Sequence, residues 1–323
     1  MNSLKPSRKN ILIEQLVLID GQAACGKGAL APLIASMERV ELLNFSPQIE
    51  NICGLRYLEK IDNDSLETMI KLEIDLVLYE TMMGRNTNFR FSDQSSAFND
   101  VNFFEYIKRL FRQGDKIIPK KIKEEKPILY FMTHAMLGLS NHLFDCLGEK
   151  LNIIELVRHP KSMLSQQTSY NEWWLTDEGK KRQFQLFFNY EGEEVPFWTK
   201  GWERLYLDCN PVERAIYEMD HHIKVTEKFK NLNKSTYNYQ CISIPFENYV
   251  VEPVPYLELI ANILKTRIGK KTERILRKEN LPRKKEIINN KKISEFLYQK
   301  NACKDSIDLL ENLSTKYEQM YLK

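Results

Sequence analysis

The stretch Leu16-Val-Leu-Ile-Asp20-Gly21-Gln-Ala-Ala-Cys-Gly26-Lys27-Gly28 decides how the rest of the chain is read. Residues 16–19 form a short apolar run of the kind that fills a buried parallel strand, and the run ends in Asp20. A glycine-bracketed loop follows, and Ala29-Leu-Ala-Pro-Leu-Ile-Ala-Ser36 continues as the first turns of a helix. Strand, loop and helix in this order make an anion cradle. Glycines let backbone N–H groups approach anionic oxygens, the helix N-terminus adds positive potential, and Lys27 adds a full charge. The bland alternative is a glycine-rich strand-to-helix turn. The flanking strand and helix favour phosphate binding by Gly21, Gln22, Ala23, Ala24, Cys25, Gly26, Lys27 and Gly28.

A loop of this kind that holds ATP or GTP follows its lysine with Ser or Thr, whose hydroxyl binds Mg²⁺. Here that position is Gly28, so the cradle lacks its usual metal ligand.

At 323 residues, 43% of them hydrophobic, the chain can bury one large core or one core with a sizeable appendage. Charged residues make up 28% and the net charge is +3, a balance that does not point to nucleic acid. No stretch approaches the roughly 18 apolar residues of a membrane span, and the first ten residues are polar. The six cysteines (25, 53, 146, 209, 241 and 303) form neither a Cys-x2-Cys pair nor a Cys/His cluster. Neither structural zinc nor a disulfide framework is expected, and a cytoplasmic setting fits.

Apolar runs at 16–19, 76–79, 128–132, 153–157 and 241–244 each fit a buried strand. Helical patterns lie between them. After Asn210, Pro211 suits a first helical position, and Val212, Ile216, Met219, Ile223 and Phe229 recur at helical spacing. Residues 255–265 and 293–320 show the same period. The expected fold is a single α/β domain over 1–323, a three-layer sandwich around a central, mainly parallel sheet, P-loop NTPase-like, with a helical C-terminal part ending in a helix over 293–323. Stretches 84–100 and 170–206 do not read as regular structure, and loops of that length are often functional.

Two further strand ends carry chemistry. Residues 153–157 lead into Arg158-His-Pro160, with Ser165 and Gln166 on the helix that Pro160 opens. An arginine fork and a hydroxyl at the mouth of a parallel sheet can grip a second phosphate; the alternative is a surface arginine and a helix-interior serine. Residues 128–132 deliver Thr133-His134 to the same edge. Imidazole suits proton abstraction near neutral pH, although a strand-end histidine is as readily a partner for a backbone group.

In order and spacing, the three strand ends resemble the nucleotide-dependent sulfotransferases, which use 3′-phosphoadenosine 5′-phosphosulfate (PAPS). The resemblance implies that the loop 21–28 cradles the 5′-phosphosulfate, that His134 is the base, and that Arg158 with Ser165 binds the 3′-phosphate. Ile242-Ser-Ile-Pro-Phe-Glu247-Asn-Tyr-Val-Val-Glu-Pro253 is similar to the family's "FE-x-L-x-x-DP" strand-turn-helix. Arg277-Lys278-Glu-Asn-Leu-Pro-Arg283-Lys284-Lys285 resembles its nucleotide-closing loop, which makes Arg277 and Lys278 donor-binding candidates. The chain departs from the family at two points. Ala23-Ala24 stands where a basic residue is usual and Lys27 follows the glycine instead. Gln166 holds the place of the usual serine, with Ser165 one residue short. A transferring sulfuryl group carries one negative charge, so Lys27 and the loop amides could meet the leaving phosphate without Mg²⁺, and no metal is expected.

The tryptophans at 173, 174, 198 and 202 gather with Tyr170, Phe184, Phe197 and Tyr206 in 170–206, as a satellite core, an acceptor-binding lid or both. Glu80, at the end of the run 76–79, is a second candidate for the base, or a structural partner of Arg85 or Arg90. The basic run 265–292 is interleaved with glutamates, as a solvated face would be. The reading is a PAPS-dependent sulfotransferase acting on an acceptor hydroxyl of a glycan or glycolipid, with Lys27, His134 or Glu80 catalytic. Its rivals are a Mg²⁺-dependent P-loop kinase of a small molecule, with Glu80 as the metal carboxylate, and a non-catalytic nucleotide-binding module.

Overall fold

The computed structural model describes residues 4–112, 114–139, 141–233, 240–284 and 287–322. Its strands are β1 (Gln15–Asp20), β2 (Asn44–Phe45), β3 (Ile128–Met132), β4 (Leu151–Val157), β5 (Phe187–Tyr190), β6 (Glu193–Pro196) and β7 (Cys241–Pro245). Five of them form one sheet in the order β2-β3-β1-β4-β7, and every pairing in it is parallel. β5 and β6 form a separate antiparallel hairpin.

Successive side chains on a strand point to opposite faces, so β1 divides the core in two. Val17 and Ile19 pack with Leu30, Ile34, Ile260 and Leu310 on one side. Leu16 and Leu18 pack with Ile70, Leu78 and Phe144 on the other. Helices cover both faces, which is why the central strands read as unbroken apolar runs. The chain leaves β1 toward β2 but leaves β4 toward β7, so the crevice between the carboxyl ends of these adjacent strands is the switch point where α/β sheets hold ligands.

The helix Pro211–Asn233 begins after Asn210, whose side chain accepts from the amides of Val212 and Glu213. Val212, Ile216 and Met219 belong to the first core cluster and Phe229 to the second, so this helix crosses over the sheet's carboxyl edge. At about 1.5 Å per residue it is about 34 Å long, enough to make the crossing.

The structure corrects three expectations. Residues 76–79 are not a strand; they lie within the helix Asn63–Met83. Leu66, Ile70, Ile74, Leu78 and Met82 recur every fourth residue on its buried face, Asp62 caps its first turn through the Ser65 amide, and Gly84 ends it in a left-handed conformation. The stretch 170–206 is ordered by the end of the helix Pro160–Trp174, the helix Asp177–Lys181, the β5–β6 hairpin and the helix Glu203–Asp208. The C-terminal part is two helices, Asn290–Gln299 and Lys304–Tyr321; Lys323, the last residue of the expected 293–323 helix, lies outside the described residues. The stretch 84–100 is irregular apart from one short turn of helix at Ala97–Asn99.

Among the described residues, no helix is long and apolar enough to cross a membrane.

Candidate active site

The loop after β1 owes its shape to backbone conformations that glycine favours. Gly21 (φ 134°) and Gly26 (φ 97°) both lie in the left-handed region. A Cβ at 21 would meet the Leu156 carbonyl oxygen at 2.4 Å, and one at 26 would meet the Phe246 ring at 2.3 Å. Ala24 is also left-handed (φ 65°), a conformation that costs a non-glycine residue energy and is held here by the surrounding contacts. Gln167 supports the loop from the 160–174 helix, donating to the Ala23 carbonyl at 2.9 Å. Lys27 opens the helix Lys27–Ala35 and is 6% exposed; its ammonium donates to the carbonyls of Gly21 and Gln22, the latter at 3.0 Å. Gly28 faces Gln94, whose amide donates to the Gly28 carbonyl at 3.1 Å.

Arg158 leaves the end of β4 and turns back to the loop. Its Nη1 donates to the Ala24 carbonyl at 3.0 Å, and its guanidinium lies 4.6 Å from the centre of the Phe246 ring. The turn behind it is fixed from several sides. The His159 side chain caps the 160–174 helix through the Lys161 amide, and Glu247 accepts from the His159 amide at 3.0 Å and from the Tyr317 hydroxyl. The Phe-Glu pair after β7 therefore has separate tasks: Phe246 floors Arg158 and presses on Gly26, while Glu247 holds the turn.

The third strand end is clamped by Asp20. Its carboxylate accepts from the Thr133 hydroxyl (2.7 Å) and from the amides of Met136 (3.0 Å) and Leu137 (2.8 Å). This fixes the turn that carries His134. Glu50, from the helix Pro47–Tyr57, accepts from the His134 amide at 2.8 Å and lies 3.1 Å from its Nδ1. A carboxylate there selects the Nδ1–H tautomer and leaves Nε2 as the basic nitrogen.

All three strand ends meet at a cavity of about 860 Å³, lined by Gln22 to Gly28, Glu50, His134, Arg158 and Gln166. Its far wall is aromatic, with Tyr170, Trp173, Trp174, Phe184 and Trp198. Trp198 also packs edge-on against Tyr206 at 5.7 Å, so the 170–206 segment is wall and satellite core together.

Not every predicted site residue reaches the cavity. Ser165 is exposed on the helix and takes no part in the lining, whereas its neighbour Gln166 does and donates to Tyr170 Oη at 2.6 Å. Glu80 is half-buried within the helix Asn63–Met83 and is absent from the lining; Arg85 and Arg90 pair with Asp115 and Asp93 instead. The kinase reading loses its metal carboxylate with that placement. Arg277 is exposed beside Glu273, and Lys278 donates to Asn99 at 3.3 Å. From the same basic run it is Arg283 that approaches Arg158, 5.3 Å from the centre of the Phe246 ring that Arg158 also covers. Lys285 of that run and the neighbouring Glu286 lie outside the described residues.

Glu50, Gln167, Glu218 and His222 were not legible as site residues in the sequence. The last two line the cavity from the 211–233 helix, and the adjacent His221-His222 with Glu218 one turn before was the available signal. Burial pushes the Glu218 carboxyl up to about 7. Burial, with the nearby His221 and Lys27, pushes the His222 imidazole down to about 3. An unfolded chain takes up this proton near pH 6.5, whereas the folded chain refuses it until about pH 3. Stability that His222 leaves intact above pH 6.5 therefore falls as the pH drops below it. From pH 6.5 to 5 the loss is about 2 kcal/mol, at about 1.4 kcal/mol per unit. The raised Glu218 carboxyl gains stability over the same range, with the opposite sign, so the His222 contribution is read as a difference between two proteins. In urea unfolding, the stability of His222→Asn relative to the wild type should rise by about that amount between pH 7 and pH 5. A difference that does not change with pH would mean that the folded protein protonates His222.

No family model matches the chain, and no curated protein matches it in sequence. Solved structures similar to it include the sulfotransferase STF9 from Mycobacterium avium, with 12% identity, 97% of this chain and 78% of that one covered, and a TM-score of 0.47. The sulfotransferase domain of the Synechococcus PCC 7002 olefin synthase is 14% identical, with 97% and 98% covered and a TM-score of 0.42. A sulfotransferase from Alicyclobacillus acidocaldarius is 13% identical, with 94% and 96% covered and a TM-score of 0.38. At these identities and scores the likeness describes the path of the chain and carries no argument about its chemistry. In fold, the solved proteins this chain is similar to are sulfotransferases.

Proposed function

We propose that the chain transfers a sulfuryl group from PAPS to an acceptor hydroxyl on a carbohydrate or glycolipid. One observation carries the reading. Two anion-binding devices, the loop 21–28 and the Arg158 fork, converge on the β1–β4 crevice, and a histidine–glutamate pair faces the same aromatic cavity. In this reading His134 Nε2 takes the acceptor's proton while Glu50 holds the ring and steadies the imidazolium that forms. The acceptor oxygen bonds to sulfur as the bond from sulfur to the bridging phosphate oxygen breaks. Lys27 and the loop amides meet the charge left on the 5′-phosphate. Arg158, with Gln166 and with Arg283 alongside, holds the 3′-phosphate. The aromatic wall gives the acceptor a face to pack on.

The reading is tested by incubating the protein with labelled PAPS and a panel of glycan and glycolipid acceptors. Label on an acceptor, with 3′,5′-ADP released in equal amount, is the expected result; a protein that neither binds nor turns over the donor would overturn it. The two anion sites are separable. Arg158→Ala should weaken binding of 3′,5′-ADP by about ten- to a hundred-fold, from a charge-assisted hydrogen bond of about 1.5–3 kcal/mol, and should spare 5′-AMP. Equal losses for both ligands in calorimetry would mean that Arg158 does not read the 3′-phosphate.

A further inference from the structure

Glu218 and His222 stand one turn apart where the 211–233 helix passes over the sheet edge, and both face the large cavity. Their bonding sets them apart from the deeply buried carboxylates of the molecule. Asp20 and Asp75 each take two backbone amides as well as a side-chain donor. Glu41 is gripped by both Nη atoms of Arg109, and Glu155 by Lys230 and Ser243. Glu247 takes the His159 amide and the Tyr317 hydroxyl. Glu218, 14% exposed, receives one hydrogen bond among the described residues, from Asn171 Nδ2 to Oε2 at 3.3 Å. Its Oε1 lies 3.9 Å from His222 Nε2, too far for a direct hydrogen bond.

A 3.9 Å gap between an acceptor and an imidazole nitrogen is one that a single hydroxyl oxygen spans, donating to one atom and accepting from the other. The surroundings narrow the ligand. Lys27, Arg158 and Arg182 line the same cavity, so a cationic ligand meets repulsion. A wholly apolar ligand would desolvate Glu218 Oε1 and His222 Nε2 and offer neither a hydrogen bond. A saturated ring with hydroxyls on its rim and C–H groups on its faces satisfies the polar pair and packs against Trp173 and Trp174, which line the cavity. The raised Glu218 carboxyl and the neutral His222 suit an uncharged partner.

We propose that Glu218 and His222 are the acceptor-recognition pair, holding a non-reacting hydroxyl of a polyhydroxylated ring seated in the aromatic cavity. This rests on the sulfuryl-transfer reading for its kinetic consequences but not for its binding consequences, and the test keeps the two apart. Binding is read without donor, by saturation-transfer NMR with methyl β-D-galactopyranoside and methyl β-D-glucopyranoside against phenol and octan-1-ol. Turnover is read with labelled PAPS and the same four probes, and 3′,5′-ADP affinity serves as the check on folding.

The wild-type protein should contact and sulfate a glycoside in preference to phenol and octan-1-ol. Glu218→Leu should raise KM for that glycoside by about tenfold or more, with the loss on KM rather than kcat and with unchanged 3′,5′-ADP affinity. Glu218→Gln, which still bonds a hydroxyl, should restore most of the lost affinity. His222→Leu should reproduce the KM shift, and it decides the matter if Glu218→Leu does not fold. Preference for phenol or octan-1-ol, no glycoside contact in NMR, or an unmoved KM in both leucine variants overturns the proposal, the last meaning that the pair holds water alone. A kcat collapse in both Glu218 variants also overturns it, since Glu218 would then be a proton acceptor. Failure of 3′,5′-ADP to bind the wild-type protein would instead strike the sulfuryl-transfer reading, and the NMR result would still decide the polyol site.

Discussion

His134→Ala is expected to lower turnover by about 10²- to 10⁴-fold while leaving 3′,5′-ADP binding almost intact, the usual range for a positioned acid–base group. The geometry supplies the reason. His134 is carried by a turn that Asp20 clamps through one hydroxyl and two amides, and its Nδ1 is engaged by Glu50, so Nε2 is the nitrogen available to the cavity. Arg158, by contrast, lies on the β4 side of the crevice, where the proposed reading puts the adenosine 3′-phosphate. Loss of the imidazole therefore falls on the acceptor's proton and not on donor affinity. Glu50→Gln should give an intermediate loss, because the amide can still orient the ring but cannot steady an imidazolium. Glu80→Gln should be near normal, since Glu80 sits in the helix Asn63–Met83 away from the cavity. Steady-state rates at saturating PAPS decide between these outcomes; a silent Glu80→Gln variant alongside an active His134→Ala would reverse the assignment.

Lys27→Met is the second large effect. Lys27 is almost fully buried at the start of the helix, and its ammonium is held among the loop's own carbonyls, the Gln22 oxygen at 3.0 Å. A charge fixed in that position acts most strongly on charge that develops during reaction, in a site shielded from water. The variant should lose about 10²- to 10³-fold in kcat, the range for removing one preorganised electrostatic contact. Lys27→Arg should not restore the rate, because a planar guanidinium does not occupy the space of a compact ammonium. A variant with normal kcat and only a raised KM for PAPS would limit Lys27 to ground-state binding.

Much of the candidate site is legible in the sequence. The β1 run, the loop and the following helix are contiguous in the chain, so local pattern and local geometry agree. The strand ends at 132 and 157 were legible for the same reason: buried parallel strands read as short apolar runs, and their last residues fall at the ligand edge. The same rule fails at 76–79, which lie in the helix Asn63–Met83. Four apolar residues cannot distinguish a strand from one turn of a buried helix, and the fourfold recurrence from Leu66 to Met82 was the decisive signal. Glu50 was invisible because it meets His134 across 84 residues of sequence, with nothing local to mark it. That Arg283 lies against Phe246, while Arg277 and Lys278 pair with Glu273 and Asn99, is hidden in the sequence for a similar reason. Which arginine of a basic run reaches Phe246 depends on where the helix Thr272–Lys278 ends, and sequence locates helix ends poorly. Glu218 and His222 lay on a helix that was recognised, but its passage over the sheet edge is a tertiary fact.

If the loop 21–28 and Arg158 serve a donor with both 5′- and 3′-phosphates, that donor is held without a metal. Thermal unfolding with 3′,5′-ADP, with and without EDTA, compared with Mg-ATP, measures this. The expected result is that 3′,5′-ADP raises the melting temperature equally with and without EDTA and that Mg-ATP does so weakly or not at all. Stabilisation by Mg-ATP alone, abolished by EDTA, would overturn the sulfuryl-transfer reading in favour of a Mg²⁺-dependent kinase.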